Sequence, residues 1–470
     1  MKNFSVRKGN FMKSTNSTSN MMYTVLIALV PIIIFSLYKN GIYPAVKGYG
    51  NLYTVFKPLL YIIIPAIVSM LVEYIYYIIK KNKKNFYELF GETYAMIPGI
   101  FLGLIVSINT PIWLLIVGSI IASTSKIIFG GFGKNKLNPA LVGSFFITVV
   151  FSSLLGGYLN PYETDVISSA TPLSNMTASS YLVTYDNLVK PYGTLLTMLF
   201  GNIPGAIGET SSFLCIVALI FLIYKKIIKW RIPISYLISV AVISLIICIT
   251  KDIGLWFIPF NLLSGGLLFG ATFMATDPVT SPIGKTGQVI GGIFLGISTM
   301  IIRYLTPLPE GVLISILLFN ILTIIINKLT IKLYGKDRIK LSLVIISVIL
   351  CILSPFIINR NIITKEPDNT FKIISKQKIG SNIIYEVSGR GYTGNNSIKL
   401  KITFNEKNIK DIEVISSNET YMGMIYDEKY LEKIIDNQNN LNNLDTISGC
   451  TYTSKYLKET VEKTKQDYNK

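Results

Sequence analysis

Two heptapeptides in this sequence share one pattern. Asp165-Val-Ile-Ser168-Ser169-Ala170-Thr171 and Asp445-Thr-Ile-Ser448-Gly449-Cys450-Thr451 both read acid, any residue, Ile, Ser, small, small, Thr. A threonine hydroxyl can be esterified by a phosphate where it is closely approachable, and small residues before it lower the steric barrier. A helix start just after it offers free N–H groups to an anion. Thr171 followed by Pro172 has the form of such a start, with Pro at the first helical position. Thr453 or Ser454 is expected to cap the last helix. One such string alone reads equally well as a plain helix cap. Two, in unrelated settings, point to one modifying enzyme that reads both.

The rest of the composition narrows the chemistry. Histidine is absent from the 470 residues, which removes His-based acid–base catalysis, haem and zinc ligation and the usual triads. The four cysteines, Cys215, Cys248, Cys351 and Cys450, form no C-x-x-C pair, so no metal site is expected. Half the chain is hydrophobic and only 15% is charged, against about a quarter in a soluble domain. The net charge of +18 sits mostly between apolar runs. Loops of a membrane protein explain it better than nucleic-acid binding.

The elements that must position the threonines are therefore membrane helices. Eleven apolar segments are expected to span, roughly 22–38, 57–79, 94–108, 111–128, 136–155, 211–228, 232–250, 255–276, 286–303, 311–331 and 341–359. The third and eighth are the weakest. Basic clusters at Lys2–Lys13, Lys80–Lys84, Lys126–Lys136, Lys225–Arg231 and Lys328–Lys340 all fall on one side of such an alternation. The positive-inside rule makes that side cytoplasmic. The N-terminus is then cytoplasmic, with the first run read as a retained anchor. The loop 156–192 and everything after Ile358 face outward, so both heptapeptides lie on the outer face. Gly99-Ile-Phe-Leu-Gly103 and Gly266-Leu-Leu-Phe-Gly270, each followed eight residues later by a proline (Pro111, Pro278), sit five spans apart. That is the spacing of an inverted repeat, or a coincidence among small residues that pack helices.

From about Ile363 the composition turns polar. Strands are expected at Phe371–Ile379, Ile383–Val387, Ser397–Phe404 and Ile409–Ile415, and helices at Glu428–Ile435 and Tyr456–Gln466. Within the membrane part, Gly130, Gly131 and Gly133 before Asn135 and Asn138-Pro139 read either as a broken helix lining an ion or cofactor site or as tight packing. Asp277, flanked by Thr276, Thr280 and Ser281, is an acid near membrane depth and a functional suspect, or else a wetted helix end.

At this point the sequence resembles a known family. Phe129-Gly-Gly-Phe-Gly-Lys-Asn-Lys-Leu-Asn-Pro-Ala-Leu-Val-Gly143, Ser168-Ser-Ala-Thr-Pro-Leu173 and the stretch Leu263–Pro282 resemble the D-type subunit of the Rnf-type ion-translocating electron transport complex. That protein is a relative of the B-type subunit of the Na+-translocating NADH:quinone reductase. The likeness covers about residues 20–335. The tail, with Gly391-Tyr-Thr-Gly394, Glu419-Thr420 and Ser448-Gly-Cys-Thr-Tyr-Thr-Ser454, is similar to the FMN-binding domain of the G-type subunit of the Rnf complex. The resemblance implies that a flavin transferase links FMN through its phosphate to Thr171 and Thr451. Asp165, Ser168, Asp445, Ser448 and Gly449 belong to the two strings, and Glu419 and Thr420 to the FMN domain. It implies as well a non-covalent flavin, riboflavin, without placing it on residues; Asp277, Asn135 and Asn138 are the candidates that the residue types themselves offer for an ion or inner-flavin site. Ser169 and Cys450 stand where the family has Gly and Ala; both are small.

The fold expected is a polytopic α-helical membrane protein of ten spans in a 5+5 inverted repeat, plus an eleventh, with a C-terminal extracytoplasmic α+β FMN-binding domain. The parts are a cytoplasmic tail (1–20), an RnfD-like membrane domain (21–335), an anchor span (341–359) and the outer domain (363–470). The function implied is a flavin-carrying subunit of a ferredoxin:NAD+ oxidoreductase complex in the cell membrane, coupled to Na+ or H+. Its partners would be the other subunits, the flavin transferase and membrane lipid, and no complete activity is expected from this chain alone. A stand-alone relay from quinol to outer flavin acceptors without ion pumping is the alternative. A plain solute channel would have no need of the matched threonines.

Overall fold

The computed structural model describes the chain except residues 1–16, 49, 81–90, 156, 159–170, 180, 210, 307, 309, 334, 365–370, 392–393, 406–407, 418–421, 439, 442–443, 448–449 and 469–470. The helices follow the apolar runs, because a backbone in lipid must satisfy its own hydrogen bonds. They are α1 (Thr18–Leu37), α2 (Leu52–Ile79), α3 (Met96–Ile105), α4 (Ile112–Ile128), α5 (Pro139–Val150), the short α6 (Pro172–Ala178), α7 (Ser212–Tyr224), α8 (Arg231–Lys251), α9 (Phe257–Leu263), α10 (Leu267–Met274), α11 (Lys285–Leu305), α12 (Val312–Lys332) and α13 (Asp337–Ile358).

Each of the eleven expected segments carries a helix, but they are unequal. Six are long and apolar enough to cross a membrane, and α9 with α10 makes a seventh if that pair, bent by 61°, is one span. The helices α3, α4, α5 and α7 are shorter, at 10 to 17 residues. A 10-residue helix rises only about 15 Å, half of a hydrocarbon core. The rest of that depth is turn backbone, tolerable where protein surrounds it. The break between α9 and α10 falls at Gly265, whose φ is +62°.

The helix neighbours run in the same order in both halves. The long helix α2 packs on α3 and α4, and α8 packs on α9 and α11. Next, α4 packs on α5, and α11 on α12. Contacts of α1 with α7 and of α5 with α12 join the halves. The two Gly-x-x-x-Gly strings are not packed alike, however. Gly99 and Gly103 lie directly on the backbone of α2 at Pro65 and Tyr61, whereas Gly266 faces the Glu209 carboxylate and Gly270 faces Val312. In the second half the close helix crossing is made by Gly292 and Gly296 against Ser235 and Ser239 of α8.

The last long helix, α13, packs on α8 and α11 through Cys351, Ser354, Pro355 and Ile358, and exposes most of its other apolar residues. Its exit is tied to the face that carries Thr171. Asn361 donates to the Tyr304 carbonyl at 3.0 Å, and Ile363 pairs in parallel with Leu182.

The C-terminal domain is an antiparallel meander of β1 (Lys372–Ile379), β2 (Asn382–Gly391), β3 (Gly394–Asn405) and β4 (Asn408–Ser417), in that spatial order, followed by α14 (Met422–Asp427), α15 (Tyr430–Asp436) and α16 (Thr451–Tyr468). Ile398, Leu400, Ile402 and Phe404 of β3 are buried in strict alternation, as a half-covered strand requires. The helix α16 crosses β2 so closely that the Thr460 hydroxyl fills the space a Cβ on Gly389 would need. Two expectations change here. The helix expected at Glu428–Ile435 is present as Tyr430–Asp436, and an unexpected short helix, α14, precedes it, the two divided at Lys429, whose φ is +50°. The last helix begins at Thr451, so Thr453 and Ser454 are inside its first turn. Ser454 there donates to the Cys450 carbonyl at 2.6 Å and accepts from the Ile447 N–H at 3.3 Å.

Candidate functional site

Two cavities hold the chemistry-bearing residues. The larger, with a volume of about 100 Å³, lies between the start of α1 (Met21, Met22, Val25), the start of α3 (Tyr94, Ile97, Pro98), the end of α7 and the segment after α10. All three residues expected at an inner ion or flavin site, Asn135, Asn138 and Asp277, line it. Rings of Tyr94, Phe101, Phe132 and Phe273 form apolar wall. The glycine run before Asn135 explains how the chain gets there. Gly130, Gly131 and Gly133 have φ of +105°, +87° and +80°, values that side chains resist, and they turn the chain from α4 to α5.

The polar groups of this cavity are partly committed. Asn138 is the N-cap of α5, its Oδ1 accepting from the Ala140 N–H at 3.1 Å. The Asp277 carboxylate accepts from the Thr280 hydroxyl at 2.9 Å and from the Val279 N–H at 3.5 Å. Sequence reasoning missed the strongest charge at this site. Lys126, read from the sequence as a loop cation, is 3% exposed and lines the cavity. Its ammonium donates to Glu73 Oε1 of α2 at 2.6 Å and to the Thr93 carbonyl at 2.7 Å. The signal was present: Glu73 and Lys126 are charges inside two expected spans.

The second cavity opens beside Thr171 at the other end of α7. Ser212 to Leu222 is ten residues of α7, about 15 Å of helix rise, and the two cavities lie toward opposite ends of that helix. This one has a volume of only about 10 Å³ and is lined by Thr171, Pro172, the segment Ile203–Ala206, Glu209, Leu263, Gly265 and Glu310. Thr171 is where the sequence puts it, as the N-cap of α6, but it is only 3% exposed. Its Oγ1 accepts from the Ser174 N–H at 3.1 Å and lies 2.8 Å from the Ser174 hydroxyl. The expected approachable hydroxyl is thus a buried cap in this fold.

Glu209 and Glu310 carry no motif that marks them in the sequence. They come from the two loops that precede α7 and α12. Both crowd the Gly265-Gly266 turn: added Cβ atoms there would lie 2.6 Å from Glu310 Oε2 and 2.5 Å from Glu209 Oε1. Burial pushes both carboxyls above the usual range, Glu209 further because Glu310 is beside it. Arg303, wholly buried, donates to the Asn261 and Ser264 carbonyls at 2.8 and 3.0 Å on the same turn.

At the other threonine, Thr451 is the first residue of α16, Asp445 is exposed and Cys450 is 4% exposed. The side chain of Thr451, and the whole of Asp165, Ser168, Glu419, Thr420, Ser448 and Gly449, lie outside the described residues.

Comparison with known proteins agrees with this architecture. Residues 391–466 match the FMN-binding domain. The D-type subunit of the Na+-translocating ferredoxin:NAD+ oxidoreductase complex of Acetobacterium woodii is 33% identical over 343 residues, which is 72% of this chain and 97% of the relative. The D-type subunit of the proton-translocating ferredoxin:NAD+ oxidoreductase complex of Clostridium ljungdahlii is 30% identical over 330 residues, 70% of this chain and 94% of the relative. The B-type subunit of the Na+-translocating NADH-quinone reductase of Klebsiella pneumoniae is 31% identical over 272 residues, 57% of this chain and 64% of the relative. Residues 5–335 match the NQR2, RnfD, RnfE family, and the chain belongs to that family.

Proposed function

We propose that this chain is a flavin-carrying membrane subunit of an ion-translocating oxidoreductase complex of the ferredoxin:NAD+ kind. It works with the other subunits of that complex and is matured by a flavin transferase. The observation that carries this reading is a pairing. A membrane domain of the NQR2, RnfD, RnfE family and an FMN-binding domain are joined in one chain, and each holds one copy of the same Thr-terminated heptapeptide. The chain then unites the membrane flavin site and the outer flavin site that the resemblance assigns to two separate proteins. The two D-type relatives carry different ions in their names, so the ion is left as Na+ or H+.

FMN is held covalently at Thr451 and Thr171. A flavin supplies reversible transfer of one or two electrons. At Thr171 the residues of this chain set a condition. The hydroxyl caps α6 and borders a small cavity with two buried carboxyls, which leave a phosphate no cationic partner on that wall. The cap must open for the ester to form, and the phosphate belongs on the side away from Glu209 and Glu310. The larger cavity fits a non-covalent flavin, riboflavin. Its aromatic walls exclude water from a planar ring, and Lys126, Asn135 and Asp277 offer polar groups at its edge. The cytoplasmic N-terminus and the outward FMN domain follow from the basic loops, and the domain division at about 335 to 363 from the change of composition.

Mass spectrometry of the chain produced with a flavin transferase tests the reading. Two FMN adducts are expected, with Thr171→Val and Thr451→Val each removing one and the double variant both. A double variant that keeps its in-gel flavin fluorescence would overturn the assignment.

A further inference from the structure

The Lys126–Glu73 pair is placed where a structural ion pair has no need to be. Lys126 is on α4 and Glu73 on α2, and both are almost fully buried at depth in the helical bundle. Replacing such a pair by apolar residues is often neutral or stabilising, so burial of two charges is weak evidence for a stabilising role. The geometry is asymmetric as well. Glu73 lies behind Lys126, which is the partner that lines the large cavity. A lysine ammonium has three donors. Two go to Glu73 and the Thr93 carbonyl, and among the described residues no acceptor takes the third. The Phe132 ring, also on the cavity wall, stands 5.6 Å from the ammonium. Asp277, the other charge on the wall, is engaged by the segment that follows it, through Thr280 and Val279.

We propose that Lys126 is the positioning charge of the large cavity: it aims its remaining N–H at a carbonyl of a planar, carbonyl-bearing electron acceptor and stabilises that ring's reduced form. This deepens, and rests on, the reading of the cavity as the non-covalent flavin site. Reduction adds negative charge to such a ring. A fixed ammonium in low-dielectric surroundings favours that charge far more than one in water. Glu73 orients the ammonium without occupying the cavity. A quinone ring shares this chemistry, and the test separates the two.

The experiment is a redox titration of the purified full chain with dithionite. The non-covalent flavin is followed in a Thr171→Val/Thr451→Val background that removes the covalent signals. Acid release and chromatography first establish whether wild type carries riboflavin, and reconstitution with added riboflavin or menaquinone identifies the ring taken up. Lys126→Met should move the midpoint potential of that group to a more negative value, and Lys126→Arg should restore most of the shift. Breaking one side of the pair can misfold the chain, so Lys126→Met/Glu73→Met, which buries no charge, is measured beside it. The same negative shift is expected there. Riboflavin retained with an unmoved potential in the folded double variant overturns the role of Lys126 and leaves the flavin site standing. A wild type that neither releases nor takes up riboflavin, but takes up menaquinone with the same Lys126 dependence, overturns the flavin reading and keeps the role of Lys126. Uptake of neither ring overturns both.

Discussion

The two cavities at the ends of α7 are built from comparable parts with opposite electrostatics. Each is bordered by one half-length helix, by a glycine-bearing turn with positive φ, and by loops from both halves. The larger presents aromatic rings and a buried lysine whose charge is answered from behind by Glu73. The smaller presents two glutamates on a two-glycine turn, next to a capped threonine. A cavity that offers a cation to an apolar space can bind an uncharged ring and favour its reduction. One that crowds two buried carboxyls together favours their protonated form. On the proposed reading, the difference matches a flavin without a phosphate to the first cavity and a tethered one to the second.

The largest effect should come from Thr171→Val. It is expected to abolish the adduct at that site, measured by mass spectrometry. Loss of the α6 cap should cost about 1 kcal/mol, read as a modest fall in thermal stability in detergent. Riboflavin in the larger cavity should be untouched. Loss of both flavins together would mean that the cavities are not independent.

Gly265→Val should rank next. The position has φ of +62°, and an added Cβ would lie 2.6 Å from Glu310 Oε2. The strain alone is worth roughly 1–3 kcal/mol. A lower melting temperature is expected, with less adduct at Thr171 and normal riboflavin content.

Asp277→Asn should slow ferredoxin-linked electron flow only several-fold, at normal abundance and with both FMN groups attached. Its carboxylate is satisfied by its own loop, and Asn can still accept from the Val279 N–H through its oxygen while its NH2 donates to the Thr280 hydroxyl oxygen. A loss of several orders of magnitude would make Asp277, rather than Lys126, the decisive charge of the larger cavity.

Glu209→Gln addresses pH. A carboxyl whose pKa is raised by folding binds its proton more tightly folded than unfolded. Its contribution to stability is therefore full below the unfolded value, near 4.3 in a model peptide, and is lost as pH rises through the folded one. The variant should match wild type in acid and become the more stable of the two as pH rises, in thermal melts across that range. Equal pH slopes would remove the acid pair from the comparison.

The smallest effect is at Cys450. With 4% exposure it should resist an impermeant thiol reagent in the native protein and react after denaturation.

What the sequence determined by itself are the features that depend on local or repeated pattern. Eleven apolar runs became eleven helical segments because lipid leaves the backbone no other choice. The alternation in Ile398–Phe404 became a half-buried strand, and Thr171-Pro172 became a helix start. Asn135, Asn138 and Asp277 were legible as one group because their types are unusual beside apolar runs, and the fold does bring them to one cavity. What only the tertiary structure decided depends on which residues meet across the chain. Lys126 looked like one more loop cation until α4 packed on α2 and set it against Glu73, fifty-three residues away. Glu209 and Glu310 are separated by about a hundred residues and share no motif, yet they meet on one turn. Thr171 matched a modification string in every local respect, but its burial comes from loops that pack over it. Burial and charge pairing are sums over distant neighbours, and no window of sequence contains them.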